Sequence, residues 1–240
     1  MWDVQDAGKS GFDGRKLKMI KQILAICLVI TALAGYTTKN IPEDFSFSSE
    51  TTNKGIIAVS VSHDLAAGRL KSATVNMAYM GEGLTIWEQL FIPTQISSRS
   101  RIDTTTGIGL LRRSDFKDSY GRLLVLALPP GRYAIKYWHF TGDIDEESLY
   151  TRGGTPLEFD VVPGQVTYLG NLHAHMQVGK ISGVASLACL TCPVAGFLEV
   201  RDQQQRDIAM LEKKYPQFKG KVVNNPLPLG PWTESPDNRK

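Results

Sequence analysis

From residue 55 onward, apolar and polar positions alternate in short blocks. Gly55 to Ser62 (GIIAVSVS) sets Ile57, Val59 and Val61 on one face of a strand, as a period of two requires. Ala73 to Met80 (ATVNMAYM) alternates likewise. Gly81-Glu82-Gly83 then turns into Leu84 to Phe91 (LTIWEQLF), which predicts a hairpin ended by Pro93. Gln95 to Gly107 is polar and reads as a loop. At the centre lies Leu123 to Phe140 (LLVLALPPGRYAIKYWHF), two β-prone runs around Pro129-Pro130-Gly131. Proline presets φ for the first corner of a turn and glycine accepts a positive φ at the second, so the stretch predicts a hairpin. Leu157 to Met176 repeats this grammar as LEFDVV, Pro163-Gly164, QVTYLGNLHAHM, and predicts another. Val166, Tyr168, Leu172 and Ala174 then share a face, provided that Gly170 does not introduce a bulge.

Gly196 to Arg201 (GFLEVR) reads as the last strand. Gln203 to Lys214 (QQQRDIAMLEKK) has helical spacing, with Ile208, Leu211 and Tyr215 as its apolar stripe, Asp202 as a cap and Pro216 as its stop. Many short alternating strands predict an all-β fold: a β-sandwich of about seven or eight mostly antiparallel strands with one C-terminal helix.

The flanks differ in kind. Lys16 to Lys21 is basic, Ile23 to Ala34 (ILAICLVITALA) is apolar, and Ala32 and Ala34 stand at the −3 and −1 positions for a cut before Gly35. This is the order of a secretory signal peptide, and the apolar run is short for a membrane span. Met19 is a plausible start, which makes the first eighteen residues a leader. The expected organisation is a leader and signal peptide over 1–34, a flexible linker over 35–54 in which Phe45 and Phe47 alternate with Ser, a sandwich with its helix over 55–219, and an irregular Pro-rich tail over 220–240. Localisation is accordingly exported, periplasmic or at the cell surface, with membrane contact only through an uncleaved signal segment.

Composition adds exclusions. The chain is 42% hydrophobic and 21% charged, with a net charge of +3. With the five basic and three acidic residues of the first 35 set aside, 22 basic and 21 acidic side chains remain of the full 27 and 24. Such a neutral body makes no electrostatic case for nucleic acid.

Two constellations carry chemistry. His173 and His175 stand two apart on a predicted strand and so point the same way; imidazole pairs at that spacing serve copper or zinc, with His139 as a third candidate ligand. Exposed strand histidines without a ligand are the plainer reading. Cys189 and Cys192 form a CxxC. No helix signal follows to activate a thiolate, and no second CxxC completes a zinc site, which favours a small disulfide in an exported protein. No nucleophile motif, paired strand-end carboxylates or phosphate loop supports catalysis. The chain therefore reads as a non-enzymatic cell-envelope binding or structural module with no cofactor, with exposed sheet edges as its route to a protein partner. The alternative is a copper- or zinc-binding periplasmic protein, or a metal-dependent enzyme, using the histidine pair.

Three stretches carry a family resemblance: LALPPGRYAIKYW, FDVVPGQVTYLGNL and RDQQQRDIAMLEKKYP. The PPG turn at Pro129-Pro130-Gly131, the run with Gly164, Tyr168 and Gly170, and Asp207 followed by Tyr215-Pro216 resemble a broad family of bacterial exported or lipoprotein-like β-sandwich domains of unknown function. The resemblance covers roughly Lys54 to Lys219 and implies a transthyretin-like or immunoglobulin-like sandwich at the cell envelope, with no reaction. Leu33-Ala34-Gly35 also precedes the lipid-bearing cysteine in such lipoproteins, but Tyr36 stands here in its place, so no lipid is expected.

Overall fold

Both Pro-Gly links carry the chain from one sheet to the other. They do so in a computed structural model that describes residues 40–47, 53–68, 71–85, 92, 95–98, 101–102, 110–111, 113–141, 147–151, 154–179 and 192–232. In chain order the strands are β1 (Gly55–Asp64), β2 (Ser72–Tyr79), β3 (Gln95–Ser97), β4 (Arg101–Ile102), β5 (Leu110–Leu111), β6 (Ser119–Leu128), β7 (Gly131–Thr141), β8 (Glu147–Thr151), β9 (Leu157–Val161), β10 (Val166–Gly179), β11 (Cys192–Arg201), β12 (Val222–Asn224) and β13 (Gly230–Trp232). One helix, α1 (Gln204–Lys214), follows β11. The first sheet runs β13-β11-β10-β1-β6, with β12 also on β10. The second runs β3-β2-β7-β8, with β9 also on β7, and β4 and β5 form a small ribbon. All pairings are antiparallel except β1 with β10 and β10 with β12. Among the described residues this is the expected all-β sandwich with one α-helix towards the C-terminus, and eight of the strands there have five or more residues.

The two predicted hairpins are corrected. β6 lies in the first sheet beside β1, whereas β7, just across Pro129-Pro130, lies in the second beside β2 and β9. Likewise β9 pairs with β7, and Pro163-Gly164 leads into β10 of the first sheet. The local signals are honoured. Gly131 has φ +139 and Gly164 has φ +71, and the Tyr133 hydroxyl donates to Pro129 O at 2.9 Å. Each link joins strands whose apolar faces meet across the core instead of along an edge. Leu124, Leu126 and Leu128 of β6 and Tyr133 and Ile135 of β7 are buried in one cluster between the sheets.

Two further expectations change. β2 pairs with β3 and β7; Leu84–Thr85 are not strand, and Ile86 to Phe91 lie outside the described residues. The polar stretch from Gln95 supplies β3, because Ile96 is 1% exposed and fills the inter-sheet core while its neighbours stay polar.

A second apolar cluster fills the outer face of the first sheet. Ile56, Ala58, Leu123, Val125, Val166 and Tyr168 pack there against Leu211, Tyr215 and Phe218 from α1 and the turn after it. The lead-in joins this layer. Ile41 is buried, the Tyr215 hydroxyl donates to Ile41 O at 2.9 Å, and the Phe45, Phe47 and Phe218 rings pack together edge-on and tilted. The same segment covers the free edge of β6: Ile41 N donates to Val125 O, Val125 N donates to Asn40 Oδ1 and Asn40 Nδ2 donates to Leu123 O. Further along that edge, Asp115 and Ser114 bond the backbone of Leu123 and Gly121. An edge whose donors and acceptors are used in this way offers no template to another strand. In the tail, Trp232 is buried and its indole N–H donates to Thr155 O at 2.9 Å. No helix among the described residues is long and apolar enough to cross a membrane.

Candidate metal centre

The site exists because β10 bulges. Ala58 pairs with Tyr168 and Ser60 with Asn171, so two residues of β1 face three of β10. Gly170, at φ +102, takes up the extra position. One inserted residue reverses the alternation beyond it. Tyr168 therefore faces α1, Leu172, Ala174 and Met176 face the inter-sheet core, and Asn171, His173 and His175 return to the outer face. Without the bulge the histidines would point into the core.

Registers on both sides of β10 then build a grid. Parallel pairing sets Ser60 beside Asn171 and Ser62 beside His173, which brings Asp64 next to His175. Antiparallel pairing sets Arg201 beside Asn171, Glu199 beside His173 and Phe197 beside His175. Asp64 Oδ1 lies 2.9 Å from His173 Nε2, and Asp64 Oδ2 lies 3.4 Å from His175 Nδ1. One ligand atom from each of Asp64, His173 and His175 falls within 4.8 Å of the others, a spacing that can hold a metal ion. His173 is 3% exposed, whereas the side chains of His175 and Asp64 are 29% and 40% exposed, so the cluster opens to solvent on one side.

Each imidazole is held from behind. His173 Nδ1 lies 2.8 Å from Ser62 Oγ, and His175 Nε2 lies 2.9 Å from Glu199 Oε2. Arg201 Nε donates to the same Glu199 oxygen at 2.8 Å, and the Phe197 ring stacks on His175 at 4.5 Å. Metal-ligating histidines ordinarily bond a carboxylate, a carbonyl or water through the nitrogen that faces away from the ion, which fixes ring and tautomer. Burial pushes the His173 pKa down, with Arg201 adding to the effect while the bond to Asp64 opposes it. Bonds from His175 and Arg201 hold Glu199 below its usual range. The first shift favours the neutral imidazole that metal binding needs, and the second favours the charged carboxylate that fixes the His175 ring from behind.

Behind the cluster the network runs inward to α1. Asn171 Nδ2 donates to Ser60 Oγ at 2.7 Å and to Ser62 Oγ at 3.1 Å. Ser60 Oγ donates to Asp207 Oδ2 at 2.5 Å, and the Tyr168 hydroxyl donates to the same oxygen at 2.7 Å. Asp207 is fully buried, and its other oxygen accepts from Arg206 Nε at 2.9 Å. Arg206 lies over the Phe116 ring. The Tyr168 pKa is pushed up, first by burial and then by the charge of Asp207. Asp207 thus takes the head of the buried helix stripe, ahead of Leu211 and Tyr215.

Ser62, His173 and Asp64 contain the residue types of a hydrolytic triad, but Ser62 has no exposure and Asp64 is the exposed end. A nucleophile has to meet its substrate, so this order is not that of a serine hydrolase. His139 sits on β7 of the other sheet, buried, with Nδ1 3.3 Å from Asn76 Nδ2. Trp138 and Phe140 on either side of it face the inter-sheet core, so His139 faces away from that core, as His173 does on the opposite sheet. The structure therefore brings His173 and His175 together with Asp64 and leaves His139 apart. Cys189 lies outside the described residues, as does the side chain of Cys192, which opens β11.

The described residues thus define an all-β, two-sheet sandwich with a helix and an Asp-His-His cluster on one outer face. No family model matches the chain, and no curated protein matches it. Among solved structures it is similar to part of a leucine-rich repeat protein from Bacteroides thetaiotaomicron, at 18% identity and a TM-score of 0.30. That match covers 50% of this chain and 12% of the other, and carries no argument about fold or function.

Proposed function

We propose that this is a metal-binding protein of the cell envelope, holding one zinc or copper ion between Asp64, His173 and His175. The observation that carries the reading is the convergence of three ligand atoms within 4.8 Å, each histidine backed by a bonded partner. Imidazole with one carboxylate suits first-row divalent ions of this kind. Three protein ligands leave coordination positions for water or for a small ligand reaching the open side. Export through the segment Lys16 to Ala34 belongs to the same proposal, and the extracytoplasmic space is where such a site would load.

The test is metal content together with intact mass. Protein from a cell-envelope fraction is expected to begin at Gly35 without lipid. Metal-free protein titrated with zinc is expected to bind one ion per chain. Asp64→Ala and His175→Ala should each weaken binding by more than the roughly 10–100-fold typical of outer-shell changes. Wild-type protein that stays metal-free in excess zinc and copper refutes the site, and an intact N-terminus refutes cleavage and release.

A further inference from the structure

The hydrogen bonds from Asn171 through Ser60 to Asp207 point one way only. Asp207 is a buried carboxylate, so the Ser60 hydroxyl proton is committed to it. Ser60 Oγ must then accept from Asn171, which fixes the side-chain amide with Nδ2 towards Ser60. The same Nδ2 lies 3.1 Å from Ser62 Oγ, and Asn171 Oδ1 lies 3.3 Å from it. Ser62 thus has a donor and an acceptor on one amide, and His173 Nδ1 at 2.8 Å on its other side.

These contacts are satisfied in two ways. In the first, Asn171 Nδ2 donates to Ser62, Ser62 donates to His173 Nδ1, and His173 Nε2–H donates to Asp64 Oδ1. Every donor has an acceptor, and the nitrogen facing Asp64 carries the proton. In the second, that nitrogen offers its lone pair to a metal. His173 then carries its proton on Nδ1 and donates it to Ser62, whose hydroxyl turns to Asn171 Oδ1. The imidazole is neutral in both: the proton given up to solvent at Nε2 is replaced from solvent at Nδ1.

We infer that Ser62 and Asn171 form a reversible hydrogen-bond switch that holds His173 as the Nε2–H tautomer before metal binds and as the Nδ1–H tautomer afterwards. The inference rests on the metal-binding reading above and adds two positioning residues to it. It gives a physical role to a fully buried serine and asparagine that touch no ion. It also assigns Asp207 of α1 the task of orienting the asparagine amide.

The experiment is a long-range 1H–15N spectrum of the full chain with 15N-labelled histidine at about pH 7.5, metal-free and then with one equivalent of zinc; His173→Gln assigns the signals. Metal-free protein is expected to show His173 protonated at Nε2 with an unprotonated Nδ1, and zinc should exchange the two. Ser62→Ala leaves the Asp64 bond to hold Nε2–H without metal, but it deprives the Nδ1–H of the metal-bound state of its acceptor, so it should keep the metal-free tautomer and weaken zinc binding about tenfold or more. A His173 that is Nδ1–H without metal overturns the switch, and so does one unchanged at Nδ1 once zinc is bound. Failure to bind zinc overturns the site itself and the exchange with it, whereas binding with an unchanged tautomer overturns the exchange alone. Should Ser62→Ala not fold, the two wild-type spectra still decide.

Discussion

Replacing Asp207 with alanine removes a charged group that lies wholly buried under the helix. Its carboxylate accepts from Ser60 at 2.5 Å, from Tyr168 at 2.7 Å and from Arg206 at 2.9 Å. Ser60 and Tyr168 have no exposure, so Asp207→Ala leaves two buried hydroxyls without their acceptor, at about 1–3 kcal/mol each. Arg206 is 23% exposed and keeps Asp118 within 3.4 Å, so solvent screens most of its loss and it adds about 1 kcal/mol or less. The expected destabilisation is about 2–6 kcal/mol, nearly all of it from the two hydroxyls. For a chain of this size that lowers the unfolding midpoint by about 10 °C. Urea unfolding followed by tryptophan fluorescence measures it, with Tyr168→Phe in a double-mutant cycle to isolate the Tyr168–Asp207 bond. A loss below about 1 kcal/mol would refute the reasoning, since it would mean that the buried hydroxyls find other partners at little cost.

Two further outcomes follow from the same geometry. Gly170→Ala places a side chain at φ +102, where the nearest atom is 3.4 Å away, so strain and not collision sets a cost of about 1–3 kcal/mol; an unchanged urea midpoint would show that the bulge does not depend on glycine. In metal-free protein, stability should fall as pH drops below about 6.5. The unfolded chain protonates His173 near that value, whereas the buried imidazole has its pKa lowered, so the unfolded state binds more protons between the two. That contribution is complete above about 6.5 and is lost on acidification towards the folded value. His173→Gln should flatten the slope in this window, and an identical slope would remove His173 as its source. Glu199, held below 4.5, contributes stability that is present above about 4.5 and lost only at lower pH, so the two windows separate.

Period-two alternation was enough to determine the all-β class and the positions of β1, β2, β6, β7, β9 and β10, because strand formation answers to neighbours two residues away. Helical spacing likewise located α1, although Asp207 as a buried member of its stripe was hidden by its charge. Alternation also set His173 and His175 on one face. Tertiary structure decided what those strands adjoin. A Pro-Gly link has the same local conformation whether its strands pair along an edge or face each other across a core, so Pro129-Pro130-Gly131 and Pro163-Gly164 could not announce that they cross between sheets. A lone apolar residue among polar ones carries no periodic signal, which hid Ile96 and with it β3. Asp64 reaches His173 across 109 residues through the parallel pairing of β1 with β10, and nothing in its local sequence reports that pairing. Gly170 was legible as a place for a bulge, but only the partner strand shows that one residue is inserted there. That insertion turns the histidines to the outer face, where the carboxylate lies within reach, and it separates them from His139 on the opposite sheet.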